Sequence, residues 1–220
     1  MPKFLRPLFL GLAVCLLGAI PASASAGILY SGASEVAAGT GIVGTEVGAN
    51  PYFKSGPNIF FECSGANLSG TVTGNTSTAA DITVESLALT GPGSEGRCLT
   101  SAGEVKVTMD APACLRRVVG PGSEWYIRGN SCTTASRTGR LTLVYNTIGT
   151  CHYHSLLTTG SYQTKFTSNI NSEPLILTQA EAGQEFERDS GSGLCASLLT
   201  LKGLRLELKT SSGGGLKVTS

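Results

Sequence analysis

The stretch "TCHYHSLL", Thr150 to Leu157, holds both histidines of the chain, His152 and His154, directly after Cys151. Imidazole is a metal ligand and a proton carrier near neutral pH, so an H-x-H pair is where chemistry is first sought. On a β-strand the pair points to one face and can offer two nitrogens to Zn²⁺ or Cu²⁺. A working site needs a third ligand. With no other histidine present, an Asp or Glu on a neighbouring strand must supply it. Without that ligand the pair reads as two solvated side chains, so His152 and His154 stand as weak candidates and no cofactor or metal is expected.

Other chemistries leave less trace. A Ser–His–Asp arrangement needs a carboxylate-oriented histidine beside an exposed serine, and there is no G-x-S-x-G elbow. The segments "GNSC" (Gly129 to Cys132) and "SGSG" (Ser190 to Gly193) read as turns. The carboxylates Glu62, Asp81, Glu85 and Asp110 have no context that marks a glycosidase pair. Neither GxxxxGK[ST] nor GxGxxG occurs. No catalytic residue is assigned, and a non-enzyme is expected.

A second group of residues suits binding. "CLRRVVGPGSEWYIRGNSC" runs from Cys114 to Cys132 and carries Arg116, Arg117, the sole tryptophan Trp125, Tyr126 and Arg128. Arginines and aromatics dominate binding hot spots, and a disulfide-closed loop bearing Arg-Arg could be a protease-inhibitor bait. Against this, a lone tryptophan in a β protein usually belongs to the core.

The elements that must position these residues follow from the compartment and the periodicity. "MPKFLRPLFLGLAVCLLGAIPASASA" has two cations, an apolar run from Leu8 to Ile20, then Pro21 and small residues. That is the layout of a secretory signal peptide over residues 1–26. The run is short against the roughly 20 residues of a membrane span. A lipoprotein reading, with Cys15 acylated, is disfavoured by the valine before it. Export predicts a secreted or cell-surface protein with no transmembrane segment after cleavage.

The whole chain has 16 Lys+Arg and 15 Asp+Glu; losing Lys3 and Arg6 leaves 14 against 15, net −1. No basic cluster suggests a nucleic-acid partner; a cell-envelope component or another secreted protein is the expected kind of partner. Apart from Cys15, six cysteines remain: Cys63, Cys98, Cys114, Cys132, Cys151 and Cys195. An even number in an exported chain reads as disulfides, with 15 possible pairings. The preferred set is nearest-neighbour, Cys63–Cys98, Cys114–Cys132 and Cys151–Cys195, though the sequence does not choose it.

Period-two alternation predicts strands. It places Val105, Val107 and Met109 on one face, then Leu141, Leu143 and Tyr145, then Tyr162, Thr164 and Phe166, then Leu204, Leu206 and Leu208. In "DITVESLALT" the apolar phase slips between Val84 and Leu87, which predicts a bulge near Ser86; Gly203 suggests another irregularity. "TQAEAGQEFERD" fits a short helix, capped by Thr178 and Glu181, as well as a strand. Turn signals such as "GPGSEG" and "SSGGG" separate the runs. The expectation is an all-β fold, an antiparallel sandwich or barrel-like, of many short strands stapled by disulfides. It spans 27–220, with two packed β units (about 27–146 and 147–220) as an option that a weak echo between "CSGANLSGTVTG" and "CHYHSLLTTGSYQT" suggests.

The stretch "CHYHSLL…SYQT…LILTQAEAG…FERDSGSGLCASLLTLKGLRLEL", with "FFECSGANLSGTVTG" in the first half, resembles uncharacterised secreted β-rich proteins of actinobacteria over most of residues 40–210. The shared pattern is a C-x-Y strand, a Gly-containing strand, a "GSxxLC" turn and a final L-x-G-x-x-L strand. The resemblance implies an exported β-rich protein without assigned activity. A small residue or glycine often stands there at the positions of His152 and His154, which implies that a histidine site is not a family property. The leading functional expectation is an exported non-catalytic β module, structural or ligand-binding. A protease inhibitor using the Cys114–Cys132 loop and a metal binder or metal-dependent enzyme using His152 and His154 are the alternatives.

Overall fold

Alternating apolar and polar residues with glycine-rich breaks build strands almost everywhere in the computed structural model. It describes residues 27–48, 50–101, 103–119, 124–130, 132, 139–156 and 164–220; the expected signal peptide and Tyr162 lie outside them. In chain order the strands are β1 (Leu29–Ser31), β2 (Ser34–Glu35), β3 (Gly41–Glu46), β4 (Tyr52–Ser55), β5 (Asn58–Glu62), β6 (Gly65–Asn75), β7 (Ala79–Thr90), β8 (Cys98–Thr100), β9 (Gly103–Met109) and β10 (Ala113–Val118). They continue as β11 (Glu124–Gly129), β12 (Arg140–Tyr145), β13 (Gly149–Ser155), β14 (Thr164–Ser168), β15 (Leu175–Gln179), β16 (Gln184–Gly191), β17 (Leu198–Lys202), β18 (Arg205–Thr210) and β19 (Lys217–Val218). The ambiguous "TQAEAGQEFERD" segment forms no α-helix: Thr178 lies in β15, and Gly183 (φ 78°) turns the chain into β16.

Antiparallel pairing closes a barrel of eight strands, in the order β7-β10-β11-β14-β15-β18-β3-β6 and back to β7. A second set of eight pairings closes another ring, β9-β12-β13-β16-β17-β4-β5-β8 and back to β9. Closure removes the unpaired edges that would otherwise template aggregation. Each ring takes strands from both halves of the sequence. The two rings are interleaved in sequence and do not divide at 146/147.

Among the described strands, backbone pairing joins the rings through β7. β7 pairs with β10 over Ala79–Val84 and with β9 over Leu87–Leu89. Between these stretches Ser69 faces Ser86 while Gly70 faces Val84, so Glu85 is an extra residue. This is the bulge that the phase slip at Ser86 predicted, and a bulge bends its strand. Gly70 serves the same bend: a Cβ there would lie 2.4 Å from the Thr83 carbonyl oxygen. Where the rings meet, Leu87, Leu89, Val107, Ile127, Leu141 and Phe186 are among the residues around an apolar cavity of about 30 Å³.

Gly203 (φ 77°) ends β17 rather than bulging a continuous strand, and the backbone N–H of Leu204 then donates to Gln179 Oε1 at 3.2 Å. The predicted alternation fills both interiors. Ile82, Leu115, Trp125, Phe166, Leu177 and Leu206 are buried in the barrel; Phe53, Phe61, Leu143, Tyr145 and Tyr153 are buried in the second ring. Phe53 and Phe61 stack with centroids 4.7 Å apart. β19, β1 and β2 form a small separate sheet. Asn75 ties it to the barrel: its Oδ1 accepts from the N–H groups of Ile28 and Leu29, and its Nδ2 donates to the carbonyls of Leu29 and Val36.

All three disulfides are the nearest-neighbour pairs: Cys63–Cys98, Cys114–Cys132 and Cys151–Cys195. The first and third staple the second ring, while Cys114 lies on barrel strand β10. Among the described residues no helix is long and apolar enough to cross a membrane.

Candidate functional site

Strand β13 lies between β12 and β16 in the second ring. Cys151, Tyr153 and Ser155 are buried, while His152 is exposed and His154 half-buried. The H-x-H pair thus lies on the outer face, as alternation predicts. Tyr153 is held from behind: its hydroxyl donates to the Ala196 carbonyl at 3.1 Å, and burial pushes its pKa up to about 12. Arg188 Nη1 donates to the carbonyls of Ser192 and Cys195, fixing the turn that carries the Cys151 partner.

The neighbouring strands bring carboxylates to His154 and a carboxylate-bonded hydroxyl to His152. His152 faces Thr142 on β12 and Ser190 on β16; His154 faces Arg140 and Glu187. The β13–β16 register slips between His152 and Tyr153, leaving Asp189 as an extra residue on β16. Asp189 Oδ1 lies 2.6 Å from His154 Nδ1, and Glu187 Oε2 lies 3.8 Å from His154 Nε2. Thr142 Oγ1 donates to Asp110 Oδ1 at 2.7 Å and lies 3.2 Å from His152 Nδ1. Asp110, Arg140, His152, Tyr153, Asp189 and Ser190 line one open depression.

These contacts fix the ring tautomers. An ionised carboxylate only accepts, so His154 Nδ1 carries a proton and donates it to Asp189. The Thr142 hydroxyl has one proton and gives it to Asp110, so toward His152 its oxygen accepts and Nδ1 again donates. With Nδ1 donating in this way, the neutral form of each ring carries its lone pair on Nε2. The sequence offered Asp110 without context and did not single out Asp189, Glu187 or Thr142. The cue it held was "FERDSGSG", an alternating strand running into glycines where a bulge forms.

Where it is described, the Cys114–Cys132 segment is a strand pair, with Trp125 and Ile127 in the core as the lone tryptophan suggested. β10 and β11 pair directly, Cys114 opposite Arg128 and Arg117 opposite Trp125, and β10 is flanked on its other side by β7. Trp125 is fully buried, its Nε1–H donating to Ser168 Oγ at 3.1 Å. Arg117, 1% exposed, lies on the same inward face, and Nη1 donates to the Thr219 carbonyl; burial lowers its pKa. Arg116 contacts Asp81 at 3.4 Å and donates to the Cys132 carbonyl. Arg128 is buried, and its charge, with that of Arg116, partly offsets the desolvation that raises the Asp81 pKa. Tyr126 donates to Glu124, which also pairs with Lys165; these bonds hold the Glu124 carboxyl below its usual range. An inhibitor bait needs an exposed, extended bond, whereas the Arg116–Arg117 bond is in the middle of a sheet. The reason is the apolar alternation of "EWYI", which buries Trp125 and Ile127 and carries the strand inward.

Among the described residues one group of three metal-ligand types lies within 4.8 Å, Asp81 with Cys114 and Cys132. Both of its sulfurs are spent in a disulfide, so they offer no thiolate. No family model matches the chain, and no match is found among curated proteins or solved structures.

Proposed function

We propose that the chain is an exported, non-catalytic β module that acts by binding, outside the cytoplasm or at the cell surface. The observation that carries this reading is the stapling of closed rings by three disulfides. Such bonds persist in oxidising compartments and are rare in reducing ones, and the leader-like sequence of residues 1–26 agrees. Closed sheets with fixed outer faces hold side chains in place at little entropic cost on binding. The histidine–carboxylate face of the second ring is the surface this reading assigns to a ligand.

The experiment is expression of the full chain in an exporting host, followed by intact-mass and thiol analysis. The expected product begins near Gly27 or Ser25 and has no free thiol. A retained leader or reduced cysteines in the native protein would overturn the reading.

A further inference from the structure

The lone pairs on His152 and His154 are prepared for more than solvent. We propose that β13 and β16 together form a Zn²⁺-binding site, with His152 Nε2, His154 Nε2 and the Glu187 carboxylate as ligands. Asp189, and Asp110 through Thr142, act behind the two rings as orienting groups. The proposal concerns the same face as the reading above but does not depend on export.

Three observations support it. First, both Nδ1 atoms are engaged on the carboxylate side, at 2.6 Å to Asp189 and 3.2 Å to Thr142, itself 2.7 Å from Asp110. Histidines that ligate metals almost always donate the other N–H in this way, which fixes the tautomer and raises ligand basicity. Two adjacent histidines that happened to be exposed would not each require such a partner. Second, Glu187 is the register partner of His154 and already lies 3.8 Å from its Nε2. It supplies the third ligand, from the neighbouring strand, that the H-x-H spacing alone lacked. Two imidazoles and a carboxylate are a Zn²⁺ ligand set that leaves a fourth position for water or a partner's ligand. Third, the local charge suits a cation: Asp110, Asp189 and Glu187 outnumber Arg140, which lines the same depression. The ligand atoms are not yet gathered, and binding requires side-chain rotation to bring them onto the metal.

The test is titration of the tag-free, oxidised full chain with Zn²⁺ by calorimetry, with melting curves as a fold control. The expected result is one Zn²⁺ per chain, abolished in His152→Ala/His154→Ala. Glu187→Gln and Asp189→Asn should each weaken binding, the latter by about 10–100-fold as outer partners do elsewhere. Thr142→Val should weaken it similarly while leaving the melting curve cooperative. No zinc binding by the wild-type chain would overturn the proposal. So would affinity unchanged by the loss of Glu187, Asp189 and Thr142, which would mean adventitious H-x-H binding only.

Discussion

Tyr153 and its two histidine neighbours show how sharply strand alternation divides roles between adjacent residues. Tyr153 is fully buried and hydrogen-bonded to Ala196, whereas His152 and His154 lie on the outer face and contact the polar side chains of Thr142, Asp189 and Glu187 there. Exposed pairs of this kind contribute little, so in the absence of metal the double change His152→Ala/His154→Ala should shift stability by less than about 0.5 kcal/mol. Tyr153→Ala removes a buried aromatic and should cost about 3–5 kcal/mol. Urea unfolding of both variants checks this; a double-histidine cost equal to that of Tyr153 would mean the imidazoles are part of the fold. Arg117 gives the opposite lesson: a charged side chain in phase with Ala113 and Leu115 is buried with them in the barrel.

At the scale of elements, the β3–β18 pair carries a pH-dependent seam. Glu46, at the end of β3, accepts from the Arg205 N–H with both carboxylate oxygens at 3.1 Å. Burial nevertheless raises its pKa from 4.5 to about 7, outweighing those bonds and the Arg205 charge. A carboxyl with a raised folded pKa favours the folded state below the unfolded value, and that contribution is lost as pH rises through the folded one. Between about pH 4.5 and 7 the wild type should therefore lose stability relative to Glu46→Gln, which stays neutral. The expected outcome is a Tm difference, variant minus wild type, that grows from pH 5 to pH 8. A difference that is flat over this range would show that Glu46 titrates normally.

Across the whole molecule, the disulfides close segments of 18, 35 and 44 residues of separation. In the chain-entropy picture each is worth about 3–4 kcal/mol, with about 1 kcal/mol between the shortest and longest. Replacing both cysteines of a pair by alanine should therefore cost least for Cys114–Cys132 and most for Cys151–Cys195. Denaturant midpoints of the three double variants provide the measurement; a reversed order would show that native packing around the sulfurs, rather than loop closure, sets their worth.

Much of this was legible in the residues alone. Period-two runs such as "EVKVTM" and "RLTLVY" specify strand and buried face locally, because side chains alternate whatever the strand pairs with. The phase slip in "DITVESLALT" placed a bulge near Ser86 for the same reason, one residue from the extra Glu85, and the alternation of Cys151, His152, Tyr153 and His154 set which face each takes. Partner choice is not a local property. Pairing joins residues far apart in the chain, so the closure of two rings, their interleaving and the sharing of β7 were decided only in three dimensions. The same holds for the site: the H-x-H pair is written in the sequence. Asp189 reaches His154 through a bulge on another strand, and Asp110 reaches His152 through a threonine on a third, because only register brings groups this distant in the chain within a hydrogen bond.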